Sequence, residues 1–230
     1  MIERYPKATR RIRVVQNGSI EPERALALGQ GLAPAGDLED PFILYVGSMS
    51  RRKNVQGVLA AADLLADEFP HLKTVLVGGS TTVFSTGEWD VSARLASRLI
   101  HRGQVDDVAE IFWYYRHARC FVFPSFFEAS PLPPIEAMAA GCPVVASAIP
   151  SHHERLGDAA LYCDPADPSD IARRVSQVLN DPGTASGLSA KGLKRAGEYS
   201  WARCAEETLR IIEEVATEAP GPSTKKRRAA

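Results

Sequence analysis

Phe42-Ile43-Leu44-Tyr45-Val46, closed by Gly47, is an apolar run with no polar residue alternating through it. A strand with one wet face alternates, whereas a strand covered on both faces reads as continuous apolar sequence. The run predicts a buried parallel strand, and the residues after it must carry the chain back over the sheet. Asn54 stands at a helix-capping position, and Val55, Val58, Leu59, Ala62, Leu65 and Phe69 recur at helical spacing until Pro70 stops them. Thr74-Val75-Leu76-Val77 then meets Gly78-Gly79, a second strand with a glycine turn.

The alternation continues toward the C-terminus. Between residues 80 and 105, Trp89 to Leu99 suits a helix and Leu99 to Val105 a short strand, with no clear boundary. Asp107 opens a helix through His117, Cys120 to Phe123 is a strand closed by Pro124, and Pro134 to Ala140 is a short helix ending at Gly141. Pro143 to Ala146 and Ala160 to Cys163 are further strands. A helix from Asp167-Pro168 carries Ile171, Ala172, Val175, Val178 and Leu179 on one face, and two more helical segments follow, the last capped by Ser200. Strands separated by helices predict an α/β fold: a single Rossmann-like parallel sheet with helices on both faces. Ligands of such sheets bind beyond the carboxyl ends of the strands, which points to Gly47–Asn54, Gly78–Ser80 and Ser125–Glu136.

Composition excludes several classes. In 230 residues, apolar residues make up 45% and charged residues 24%, which suits one globular core. A net charge of −1 gives no reason to expect nucleic acid. No apolar run is long enough to span a bilayer, and the first residues carry no secretory core, so a cytoplasmic setting is expected. Cys120, Cys142, Cys163 and Cys204 form no C-x-x-C pair and read as thiols in a reducing compartment. His152 and His153 are adjacent, so they cannot both face one metal from a regular element, and no metal site is expected. Residues 1–40 are expected to be a lead-in strand and linker, 41–216 the domain, and 217–230 a disordered tail. Lys225 to Arg228 make that tail basic, with contact to an anionic inner membrane face as a minor alternative to a solvated end.

The chemistry concentrates in Phe126-Phe127-Glu128-Ala129-Ser130-Pro131-Leu132-Pro133-Pro134-Ile135-Glu136 and on to Gly141-Cys142-Pro143-Val144-Val145. One carboxylate lies in a loop after a strand and a second in the first turn of a helix. Carboxylates accept hydrogen bonds from paired hydroxyls, while helix-end amides and a cation hold a diphosphate, so the set suits a sugar nucleotide.

This segment resembles the retaining GT-B glycosyltransferases of the large group 1 family, glycosyltransferase family 4, whose signature is Glu, seven residues, Glu. Glu128 and Glu136 occupy the two positions. The resemblance extends to Tyr45–Asn54, Ala118–Ser125, Gly157–Leu161, Tyr199–Trp201 and, at the start of the family's second domain, Ile12–Gly18, covering about residues 12–216. It implies the C-terminal, nucleotide-sugar-binding half of a GT-B fold, acting on a nucleoside-diphosphate sugar with no other cofactor. By this resemblance Glu128 contacts donor-sugar hydroxyls, Glu136 holds the ribose, and Lys53 neutralises the departing diphosphate. Gly47, Ser48, Arg52 and the backbone of Ala129, Ser130, Pro131 and Leu132 line the donor, and Gln104 and Val105 fall near the base-contacting loop. Trp113, Tyr114 and Tyr115 read as helix packing.

Two departures from the family pattern stand out. Ser48 replaces a common arginine, with Arg51 or Arg52 as candidate substitutes. Ala129-Ser130-Pro131 replaces Gly-Phe-Gly, and Pro131 has no N–H to donate. The expected activity is hexosyl transfer to an acceptor hydroxyl with retention. It is expected to need an acceptor domain that this length does not hold, making the chain a fragment, a truncated product or a subunit of a split enzyme. The alternatives are a non-catalytic GT-B-like scaffold module and, last, another Rossmann-type cofactor binder, disfavoured because no G-x-G-x-x-G follows the first strand.

Overall fold

A computed structural model of the chain describes residues 12–32, 38–79 and 91–218. Six parallel strands form one sheet in the order β3-β2-β1-β4-β5-β6. They are β1 (Phe42–Val46), β2 (Lys73–Val77), β3 (Leu99–His101), β4 (Cys120–Phe123), β5 (Val144–Ser147) and β6 (Ala160–Cys163). The register pairs Leu44 with Val75 on one side and with Phe121 on the other. The central strands are buried along almost their whole length, which is why the sequence shows no alternation there. Strand order reverses between β1 and β4, so right-handed crossovers place helices on opposite faces and open a crevice at that point.

The helices are α1 (Pro22–Ala27), α2 (Val55–Leu64), α3 (Ala93–Ala96), α4 (Val108–His117), α5 (Pro133–Ala139), α6 (Pro150–Leu156), α7 (Pro168–Asn180), α8 (Pro182–Ala196) and α9 (Trp201–Glu218). Helix α2 packs on α7, and α5 packs on α8. Most predicted strands and helices fall within a residue or two of these bounds, but α2 ends at Leu64 rather than Phe69 and β3 at His101 rather than Val105. Four further readings differ. The lead-in strand expected within residues 1–40 does not form among the described residues 12–32, where Ser19 makes only an isolated bridge. The expected linker contains α1, whose Ala25 is fully buried and whose C-terminal Leu28 carbonyl accepts from Arg116. The region from Trp89 to Leu99 supplies only the single turn of α3 among its described residues; Ser80 and Trp89 lie outside them. Helix α6 was not anticipated at all.

Residues 19–198 form one compact unit, and residues 12–18 with 199–218 belong to a second. Helix α9 runs to Glu218, past the expected start of the tail, and residues 219–230 lie outside the described set. Among the described residues no helix is long and apolar enough to cross a membrane. The four cysteines are unpaired; Cys120, Cys142 and Cys163 are buried, and burial pushes all three thiols well up.

Candidate functional site

The loops after β1 and β4 meet at the strand-order reversal. After β1, Gly47 donates to Val77 and Met49 to Gly79, binding that loop to the one after β2. The approach is so close that a Cβ on Gly78, whose φ is +139°, would lie 1.9 Å from the Gly47 oxygen. Tyr45, fully buried on β1, donates its hydroxyl to the Ser48 carbonyl at 2.8 Å. Burial and the nearby charge of Glu128 hold that phenol protonated by raising its pKa. Arg51–Lys53 then make a single 3-10 turn ended by Asn54 in the left-handed region, φ 57°. The Asn54 side chain caps α2 through Gly57 N–H and donates to the carbonyls of Pro124, at 3.0 Å, and Pro165, at 2.7 Å. One asparagine thus pins three strand-end loops together.

This framework brings the predicted charges into contact. Lys53 Nζ lies 2.7 Å from Glu128 Oε1, and Arg52 lies 3.1 Å from Glu128 Oε2. Arg52 also donates to the Phe127 carbonyl at 2.6 Å while its own carbonyl accepts from Phe126 N–H. Lys53 sits over the Phe123 ring, 4.7 Å from its centre. Glu128 is buried at 8% exposure, Lys53 is nearly so, and Arg52 is half open to solvent. Burial raises the Glu128 pKa, but Lys53, the nearby Ser125 hydroxyl and Arg52 outweigh it and hold the carboxyl below its usual range. Two cations on one anion leave a local surplus of positive charge beside an open loop. That arrangement can receive an anion such as a diphosphate. Of the two candidate replacements for the arginine absent at Ser48, Arg52 joins this cluster, while Arg51 lines a neighbouring cavity of about 410 Å³ with Ser50, Asn54 and Phe126.

Glu136, in the first turn of α5, is half-buried and accepts from the Tyr115 hydroxyl on α4 at 3.2 Å. Burial raises its pKa, and the Tyr115 hydrogen bond only partly offsets this. Tyr115 thus holds a predicted ligand-binding carboxylate as well as packing the helix, a role its place in an aromatic run gave no signal of. Between the two glutamates, Ala129 is exposed, Ser130 half-buried and Pro131 buried, and Leu132 caps α5. Pro133 and Pro134 join Pro131 in lacking N–H groups, so this helix start offers fewer donors than its position suggests. Gln104 and Val105 follow β3 at the carboxyl edge; Gln104 lies against Gly79 and donates to Asp106 at 2.8 Å. A cavity of about 670 Å³ opens at the opposite, amino ends of the strands among Pro41, Leu72, Ala118 and Pro143, away from all these charges.

The family model described as "Glycosyl transferases group 1" matches residues 34–195. O-antigen chain mannosyltransferase B of Escherichia coli is 36% identical over 174 residues, covering 73% of this chain and 44% of that protein. A serotype-specific mannosyltransferase of Escherichia coli is 30% identical over 183 residues, 76% of this chain and 22% of that protein. Among solved structures, a sucrose-phosphate synthase from Thermosynechococcus elongatus matches with a TM-score of 0.72 at 26% identity, covering 94% of this chain and 57% of that one. The chain therefore spans less than half the length of these two mannosyltransferases. With the family matched across well over half of its residues, and with a carboxylate held between two cations at the strand-order reversal, this chain belongs to the group 1 glycosyl transferases.

Proposed function

We propose that the chain is the donor-binding half of a retaining hexosyltransferase of family 4, taking a hexose from a nucleoside-diphosphate sugar to an acceptor hydroxyl. The observation that carries this reading is the buried Glu128 carboxylate paired with Lys53 and Arg52. When the diphosphate enters, Lys53 and Arg52 turn part of their charge to it and stabilise the negative charge that grows as the glycosidic bond breaks. Glu128, ionised by the same cations, accepts hydrogen bonds from hydroxyls of the sugar. Glu136 accepts from the ribose hydroxyls, and Gln104 with Val105 face the base. The hexose to try first is mannose, because the two Escherichia coli relatives are named mannosyltransferases. An acceptor-binding domain, in a longer chain or a separate subunit, completes the enzyme.

Calorimetry of the chain against UDP, GDP and their hexose conjugates tests the donor role. Glu136→Ala is expected to weaken the bare nucleotide and the sugar nucleotide alike, by about tenfold. Glu128→Ala is expected to weaken only the sugar nucleotide to that degree. Equal losses in both variants for both ligands contradict the assigned roles. A second reading, a binding module without turnover, is favoured by Ser48 and Pro131, which depart from the family pattern. Donor turnover with an added acceptor-domain protein eliminates it.

A further inference from the structure

We propose that His152, Ser147 and Ser125 form a buried relay that positions Glu128, with His152 as the positioning residue at its far end; the purpose of that positioning rests on the donor reading above. All three residues are fully buried. Ser147 Oγ lies 2.5 Å from the Ser125 carbonyl, which can only accept, so the single hydroxyl proton goes there. His152 Nδ1 lies 2.9 Å from the Ser147 carbonyl and 3.1 Å from Ser147 Oγ. Both are acceptors in this arrangement, so Nδ1 carries the proton. The chain runs in one direction, imidazole N–H to hydroxyl to carbonyl, and each bond polarises the next.

The relay ends three residues before Glu128, on the loop that carries it. The Ser125 hydroxyl is buried without a hydrogen-bond partner of its own and is among the groups that favour the ionised Glu128 carboxylate. The His152 ring packs on Phe123 with 5.7 Å between centres, and Lys53 sits over that same phenylalanine. The relay therefore ties α6, β5 and the β4 loop together behind the Lys53–Glu128 pair. An imidazolium at this point would repel Lys53 and compete for Glu128. The charged and titratable groups acting on the ring are Glu128, Lys53 and His153. Burial dominates among the influences on it and keeps it neutral, leaving Nε2 unprotonated and without a partner.

Three measurements on the isolated chain decide the matter. Long-range proton–nitrogen correlation of the wild-type imidazoles between pH 6 and 8 is expected to show His152 neutral and protonated on Nδ1. An Nε2–H tautomer or an imidazolium overturns the relay, with no variant needed. In Ser147→Ala, the Glu128 carboxyl titration followed by carbon NMR is expected to move up by about half a pH unit, with Ser147→Thr restoring it. Affinity for the sugar nucleotide is expected to fall about fivefold, against less than about twofold for the bare nucleotide. An unchanged Glu128 titration, or equal losses for the two ligands, overturns the positioning role. If the chain binds neither ligand, the donor reading fails on its own, and the tautomer and titration still judge the relay.

Discussion

At the scale of the residue, two carboxylates in one region are pushed in opposite directions. Glu128 is depressed, so its ionised form stabilises the fold; that contribution is present above the ordinary value of 4.5 and is lost as pH falls through the lowered one. Glu136 is raised, so its protonated form is favoured. That stability is present below 4.5 and lost as pH rises through the raised value, which leaves ionised Glu136 a cost at neutral pH. Glu136→Gln is therefore expected to raise the melting temperature at pH 7, leave it nearly unchanged at pH 4, and weaken nucleotide binding; calorimetry reads all three, and a lower melting temperature at pH 7 refutes the assignment. Lys53 has the converse role. Lys53→Ala strands a buried carboxylate with only the half-exposed Arg52 beside it, a loss of about 2–3 kcal/mol in urea unfolding. Adding Glu128→Gln is expected to recover most of that stability and none of the diphosphate affinity, separating the structural role of the lysine from its ligand role.

At the scale of the element, the loops after β1 and β4 are held by hydrogen bonds from side chains rather than by an apolar stripe, and Asn54 is the main tie. Its substitution tests two contributions. Asn54→Ala loses the α2 cap, abandons two carbonyls and forces an alanine into the left-handed region, about 2 kcal/mol in all. Asn54→Gly loses the same bonds without the backbone strain and is expected to stay about 1 kcal/mol more stable than the alanine variant in urea unfolding; equal losses place the whole effect in the side chain. The same contrast sets what was legible from sequence. β1, β2, β4 and β5 declared themselves because strands covered on both faces must be apolar throughout. The contact of Lys53 with Glu128 followed from where their loops fall in that topology. Helix α6 stayed hidden because its buried positions are His152, Arg155 and Leu156, so no apolar periodicity marks its inner face. The hydrogen bond from Tyr115 to Glu136 stayed hidden because an aromatic run reads as packing, and only coordinates show where a hydroxyl ends.

At the scale of the whole molecule, the notable feature is an apolar stripe along the closing helix. Trp201, Leu209, Ile212 and Val215 are each at least half exposed on α9, and at 100° per residue they fall within one stripe along it. Isolated exposed apolar side chains are ordinary, but a stripe of four at helical spacing is the pattern of a face that packs. Under the proposed function, the acceptor-binding domain is what covers it. The pair Leu209→Glu and Ile212→Glu separates that role from internal packing. If the stripe serves only a partner domain, the double variant of this chain keeps its unfolding free energy to within about 0.5 kcal/mol and still binds the sugar nucleotide, because exposed substitutions remove little. Sugar transfer reconstituted with the acceptor-domain protein is then expected to be lost, since two carboxylates would be buried without partners at the joint. A fall of several kcal/mol in the double variant by itself means that α9 packs on its own chain, and the partner assignment fails.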